Sequence, residues 1–235
     1  MDPAVLQRTY LDLATPHVAD ACMRLGIAVR STPASIRPLW PGTHLVGRVL
    51  PARHYGSVDV FLEAFDRADA GDVLVVDNGG RTDEACVGDL ITLEADHAGL
   101  AGILIWGLHR DTSELQTIHL PVLSLGALPV GPQRLDSRHA DALKTAACGD
   151  HLVSAADFVL ADDDGALFIP LNRAAEVAAA AASIRDTERR QAAMMRLGGS
   201  FRTQAHLEDY LIARDLKPDL SFRQHLRTVG GEIEE

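Results

Sequence analysis

An α/β domain, with strands covered by helices, is predicted by three features of the sequence. Short Val/Ile/Leu runs at residues 45–50, 71–80, 102–106 and 122–125 alternate with segments of helical spacing. Turn residues punctuate the runs, as in GDVLVVDNGG. Hydrophobic residues make up 47% of 235 positions, enough for one good-sized core with an appendage.

In chain order, two short helices are expected at 3–13 and 16–25, the second carrying Asp20 and closing on Gly26 as its C-cap. Residues 31–42 hold Pro33, Pro38 and Pro41, too many prolines for a regular element, and read as an extended connection. A strand at 45–50 and a turn at 54–59 lead to a helix over 58–68, where Val58, Phe61, Leu62 and Phe65 share one face. The unit then repeats: a strand within 71–80, a helix from about 86 to 98, a strand at 102–106, a polar loop containing Arg110 and Asp111, and a strand at 122–125. Pro129, Gly131 and Pro132 break any regular element after Gly126. Strands follow at 151–153, 158–161 and 166–169, the last two joined by a solvated turn at Asp162, Asp163, Asp164 and Gly165. With Asn172 as cap and Glu176 at its positive end, a helix covers 174–195. The 200–235 tail keeps Leu207, Tyr210, Leu211, Phe222 and Leu226 at helical spacings. The expected division is an α/β domain over 1–170, which holds the candidate site, and a C-terminal helical extension over 171–235 that packs on a neighbouring subunit.

Charge and cysteine usage exclude several functions. A net charge of −11 disfavours a sequence-independent grip on nucleic acid or an anionic membrane, while leaving room for local binding of small anions. Cys22, Cys86 and Cys148 are dispersed, with no C-x-x-C pair, which argues against structural zinc and a disulfide framework. No apolar run reaches membrane-spanning length, and the N-terminal segment carries charge within its apolar stretches, so a cytoplasmic setting is expected.

The chemistry concentrates in residues 79–115. Gly88 and Asp89 open a helix whose apolar side is Leu90, Ile91, Leu93, Ala95 and Ala98, and Arg110 and Asp111 follow the 102–106 strand. A helix N-terminus offers unpaired backbone N–H groups to an anion, so Gly88, Asp89 and Leu90 are candidates to hold a carboxylate, with Arg110 as a clamp. From spacing alone, Gly88-Asp89 is more often a plain helix start and Arg110-Asp111 an ordinary loop ion pair. His109-Arg110-Asp111 imitates a kinase H-R-D loop, but no Asn follows four residues after the Asp and no glycine-rich loop precedes it. The Asp162 to Asp164 run lacks the alternate carboxylates and twelfth-position Glu of an EF-hand, and Gly79-Gly80 lacks the Lys-Ser/Thr of a phosphate loop. Ten dispersed histidines form no i, i+4 pair facing a carboxylate, and only His109 adjoins the candidate site.

Gly88-Asp89, then Arg110-Asp111, then Glu114 in RDTSEL resemble the RraA-like family, which includes class II 4-hydroxy-4-methyl-2-oxoglutarate / 4-carboxy-4-hydroxy-2-oxoadipate aldolases. The likeness extends over VDVFLEAF, GDVLVVDNGG, LPVLSLG and ADDDGALFIP, roughly residues 15–195. It implies a swivelling β/β/α-type fold and a homotrimer or homohexamer. It also implies a divalent-metal aldolase that cleaves a 4-hydroxy-2-oxo acid to pyruvate, with oxaloacetate decarboxylation as a second activity to test. Family members that regulate a ribonuclease look degraded at these positions, whereas this chain keeps both aspartates. A non-catalytic regulator and a different lyase on the same scaffold remain the alternatives.

Within that resemblance, Asp111 is the expected direct ligand of Mg²⁺ or Mn²⁺, and Arg110 binds the keto or enolate oxygen. Gly88 to Leu90 hold the substrate carboxylate, and Asp89 orients a metal-bound water. Glu188, or Asp186 beside it, reaches the metal shell through water from a neighbouring subunit. A lysine Schiff base is disfavoured because Lys144 and Lys217 are the only lysines and both lie outside 79–115. His54 and Arg81 are candidates to read the group beyond the pyruvyl unit.

Overall fold

In the computed structural model, which describes residues 2–229, the expected α/β alternation is present. The first element is α1 (Pro3–Tyr10), where Pro3 takes the first helical position and Asp2 Oδ1 accepts from the N–H groups of Ala4 and Val5 at 3.0 and 3.2 Å. α2 (Thr15–Arg24) ends before Gly26, whose φ of 65° suits only a residue free to turn left-handed. Then come β1 (Arg37–Pro38), β2 (Leu45–Arg53), α3 (Asp59–Phe65) and β3 (Val73–Asp77). They are followed by β4 (Ala85–Val87), α4 (Asp89–His97), β5 (Gly102–Trp106), β6 (Leu108–His109), α5 (Thr112–Ile118) and β7 (Val122–Ser124). The remaining elements are β8 (Thr145–Cys148), β9 (His151–Ser154), β10 (Asp157–Asp162), β11 (Gly165–Pro170), α6 (Ala174–Arg196), α7 (Phe201–Gln204), α8 (Leu207–Leu216) and α9 (Phe222–Val229).

Seven strands form one sheet in the order β1-β7-β5-β3-β2-β10-β11, with β2, β3, β5 and β7 parallel. Side chains alternate across a strand, and here both faces are buried. Leu74, Val76, Ile103 and Ile105 pack with Val60, Phe61, Ile91, Ala95 and Leu115 of the helices. Val73, Val75 and Leu104 point the other way, onto Ala146, Cys148 and Val153 of the β8–β9 hairpin and Phe168 of β11. The sheet thus lies between a helical and a β layer. β4 and β6 form a separate parallel pair, which positions the candidate site.

The chain divides into two compact units, one of residues up to 16 with 29–175, the other of 17–28 with those from 176 on. In the second unit Val177, Ala181 and Ile184 of α6 are buried, as are Val18, Ala21 and Cys22 of α2. There Tyr210 meets Phe222 edge-on, and His225 Nε2 lies 2.9 Å from the Ala205 carbonyl. The end of the predicted tail, 230–235, lies outside the described residues.

Several elements differ from the sequence expectation. Cys86 and Val87 belong to β4 rather than to a helix starting near 86, because Ala85 and Val87 pair with Leu108 and His109. The polar loop after Trp106 contains β6 and α5; among the α5 residues only Leu115 is buried, so the segment shows no apolar stripe. β8 was absent from the prediction. Asn172 sits inside a 3₁₀ turn, Leu171–Arg173, ahead of α6. The Asp162 to Asp164 turn is tied down rather than merely solvated: Asp162 accepts from the Thr15 N–H and hydroxyl, both at 2.7 Å, and Asp163 accepts from the Gly42 N–H at 2.9 Å.

Candidate active site

The short β4–β6 pair carries its two chains side by side and releases them together, β4 into Gly88 and α4, β6 into Arg110 and Asp111. The Arg110 N–H donates to the Val87 carbonyl at 2.9 Å, which fixes the register. Gly88 is extended (φ −136°, ψ −163°), a conformation any residue adopts, so its lack of a side chain serves close approach. A Cβ there would stand 3.1 Å from both Cγ and Nε of Arg110 and closer still to Asp111 Oδ2.

Asp111 is left-handed (φ 59°, ψ 42°) at the N-cap position of α5, yet its side chain makes no capping hydrogen bond there. Its carboxylate turns to the α4 start instead. Asp111 Oδ2 accepts from the Asp89 N–H at 3.4 Å and lies 3.3 Å from Arg110 Nε. The Leu90 N–H donates to Asp89 Oδ1 at 2.7 Å. Two of the three amides expected to hold a substrate carboxylate therefore already face protein carboxylates, which an incoming anion must displace. The Asp111 and Arg110 side chains are 35% and 48% exposed, open enough to meet a ligand.

The cleft at this point holds about 170 Å³ and combines charged Asp89 and Arg110 with apolar Val58, Leu90, Ile91 and Pro132. That volume suits a unit of a few heavy atoms. Cys86 also lines it, but burial pushes its thiol far above the ordinary range, so it stays protonated and non-nucleophilic. Val58, Cys86, Ile91 and Pro132 were missed from sequence; the Gly131-Pro132 turn was a faint signal, since a Cβ on Gly131 would come within 3.0 Å of Arg110 Nη1.

His109 is buried, which lowers its pKa by desolvation, and both ring nitrogens have partners: Nδ1 lies 2.7 Å from Ser124 Oγ and Nε2 3.1 Å from Thr112 Oγ1. Neither His54 nor Arg81 lines the small cleft. They border another, of about 420 Å³, with Arg53, Asn78 and Arg134. Arg81 there pairs with Asp83 and Glu84, and His54 Nδ1 lies 2.9 Å from Asn78 Oδ1. In the second unit Glu188 Oε2 is 3.4 Å from His17 Nε2, and Asp186 pairs with its neighbour Arg185 at 2.8 Å. A larger groove, about 490 Å³, is walled by Ser200, Thr203, His206 and Leu211.

Among the described residues no three of His, Cys, Asp and Glu converge into a metal cage. Asp111 offers instead a single hard oxygen donor, partly exposed, beside a space kept clear by Gly88. That donor set fits a Mg²⁺ or Mn²⁺ ion that keeps most of its waters or takes oxygens from a substrate.

An α/β domain with a carboxylate and an arginine at a helix start defines the class; comparison with known proteins defines the family. The chain belongs to the RraA-like family, described as Aldolase/RraA, whose pattern matches residues 15–168. A 4-hydroxy-4-methyl-2-oxoglutarate aldolase of Thermus thermophilus is 32% identical over 125 residues, 53% of this chain and 74% of that protein. A relative from Shewanella oneidensis is 34% identical over 90 residues, 38% of this chain, and the chain spans only 55% of that protein's length. The crystal structure of Streptomyces coelicolor RraAS2, described as an unusual member of the RNase ES inhibitor RraA protein family, superposes with a TM-score of 0.69 at 26% identity, covering 79% of this chain and 94% of that one. The predicted RraA-like α/β fold with C-terminal helices is thereby established. Among the described residues no helix is long and apolar enough to cross a membrane.

Proposed function

We propose that the protein is a divalent-metal-dependent lyase that cleaves a 4-hydroxy-2-oxo acid by retro-aldol reaction, releasing pyruvate and a second carbonyl compound. The observation that carries this reading is the Asp111 carboxylate, held left-handed against the Gly88-Asp89 helix start with Arg110 beside it. The named Thermus relative supports the same chemistry.

Cleavage between C3 and C4 removes the 4-hydroxyl proton, forms the new carbonyl and leaves the electron pair on C3 as the pyruvate enolate, which then takes a proton. The step is fast only where positive charge awaits the developing enolate oxygen. A Mg²⁺ or Mn²⁺ ion at Asp111 supplies part of that charge when bound. Arg110 supplies the rest as a directed donor; its half-exposed side chain lines the cleft. The Gly88, Asp89 and Leu90 amides at the start of α4 receive the substrate carboxylate, aided by the positive end of that helix. Asp89 holds the 4-hydroxyl proton, directly or through a water. Val58, Ile91 and Pro132 exclude solvent from the reacting carbons.

The assembly completes the site: Glu188 of one subunit serves the metal shell of its neighbour in a homotrimer or homohexamer. Its side chain is 40% exposed and lies 3.4 Å from the His17 imidazole, a contact it would give up to reach a neighbouring subunit. The experiment is a panel of 4-hydroxy-2-oxo acids and oxaloacetate, assayed for pyruvate with Mg²⁺ present. Protein-dependent release from at least one 4-hydroxy-2-oxo acid supports the reading, and a protein silent on all of them refutes it; release from oxaloacetate above the protein-free rate reports decarboxylation, not retro-aldol cleavage.

A further inference from the structure

The Asp111 backbone poses a problem that the site itself does not solve. A left-handed aspartate ordinarily gains from a local hydrogen bond of its own side chain, and this one has no capping bond to α5. The chain before it is pinned: the His109 N–H donates to the Gly126 carbonyl at 3.0 Å, the Leu128 N–H to the His109 carbonyl at 2.9 Å, and the Arg110 N–H to the Val87 carbonyl. The chain after it begins α5 at Thr112, only 3.1 Å from His109 Nε2. The opposite ring nitrogen lies 2.7 Å from Ser124 Oγ, and Ser124 Oγ accepts from the Gly126 N–H at 3.1 Å. Whichever nitrogen carries the hydrogen, the ring spans from β7 to the first turn of α5, and the left-handed residue is trapped between its two anchors.

We propose that His109 is the positioning residue of the site: its imidazole, braced on Ser124, holds Thr112 and so fixes Asp111 with its carboxylate at the start of α4. The claim rests on the function proposed above only for its catalytic consequence; the geometric claim stands apart from it. Partners that orient a metal-binding carboxylate change affinity or turnover by about 10- to 100-fold when removed.

The test uses the full chain, Asp111→Asn as the reference, and four further variants: His109→Asn, whose amide reaches toward Ser124 but not Thr112; His109→Gln, whose longer amide reaches Thr112; Thr112→Val; and the His109→Asn/Thr112→Val pair. The first readout is the Asp89 amide resonance, because that N–H donates to Asp111 Oδ2. It is expected to move in His109→Asn and Thr112→Val toward its position in Asp111→Asn, and to return in His109→Gln. The second readout is Mn²⁺ binding by electron paramagnetic resonance, with kcat and KM measured beside it. Mn²⁺ affinity and kcat are expected to fall about tenfold or more in the same two variants, KM less, with the double variant no worse than either single one. An Asp89 resonance unmoved in His109→Asn and Thr112→Val, with only the melting temperature lowered, overturns the proposal. Should the wild type bind no Mn²⁺ and release no pyruvate, the proposed function falls, and the Asp89 resonance alone decides for or against His109.

Discussion

Gly88 and Asp111 share a space that only one of them fills: a Cβ on Gly88 would lie closer than 3.0 Å to Asp111 Oδ2. Since the Gly88 backbone is extended, an alanine there meets no backbone strain and acts by pushing the Asp111 carboxylate away and crowding the Arg110 side chain. Gly88→Ala should therefore leave the melting temperature within about 3 °C of wild type and lower turnover by ~10²-fold, the cost of a misplacement near 1 Å. A variant with normal turnover would show that the Asp111 carboxylate is free to work elsewhere.

Arg110 differs from a plain ion-pair partner in geometry as well as charge. Lysine keeps the charge but loses the planar fork, so Arg110→Lys is expected to cut kcat by ~10²-fold with little change in stability. A drop in melting temperature at unchanged kcat would make Arg110 structural.

The larger cleft carries a pH response through His54. His54 has a fully buried side chain stacked on Phe61, and burial, the largest cause, lowers its pKa from 6.5; Arg134 lowers it further, while Asn78, Glu84 and Asp59 oppose. The folded state thus prefers neutral His54, and the unfolded state takes up the proton first as pH falls. Stability from this residue is fully present above pH 6.5 and is lost below it, by up to about 1.4 kcal/mol per pH unit until the folded pKa is reached. Denaturant titrations from pH 8 to 5 should show a shallower acid loss in His54→Gln than in wild type. Parallel curves would mean that His54 does not stay neutral in the fold.

How far the sequence exposes this molecule depends on which forces leave a local trace. β5 was predicted at 102–106 and is found at Gly102–Trp106, because four buried residues followed by the half-buried Trp106 leave an uninterrupted apolar run. α5 left none, since Leu115 is its only buried residue. Gly88-Asp89 and Arg110-Asp111 were legible as chemistry at element ends. Their meeting was not, as it depends on two strands of three and two residues pairing across 22 positions of chain. His109 adjoined the site in sequence, but its brace, Ser124, lies 15 residues further on in a stretch that reads as a strand, with nothing in it to signal that contact.

Glu188 gives the proposed assembly its own test. If each site takes Asp111 from one chain and Glu188 from the next, Asp111→Ala and Glu188→Ala are each inactive, and mixing them after dissociation restores a fraction of wild-type activity. Full activity in Glu188→Ala, or no recovery although subunits exchange, excludes the shared site.

Asp111 is proposed to present a divalent metal to a 2-oxo acid, and the decisive measurement is pyruvate release before and after metal removal. Wild-type protein stripped with chelator should release none, and Mg²⁺ or Mn²⁺ should restore the full rate. Asp111→Asn, which tolerates the left-handed backbone and differs only in the carboxylate, should stay silent under both conditions. Undiminished release in excess chelator, or metal-restored activity in Asp111→Asn, would contradict the account.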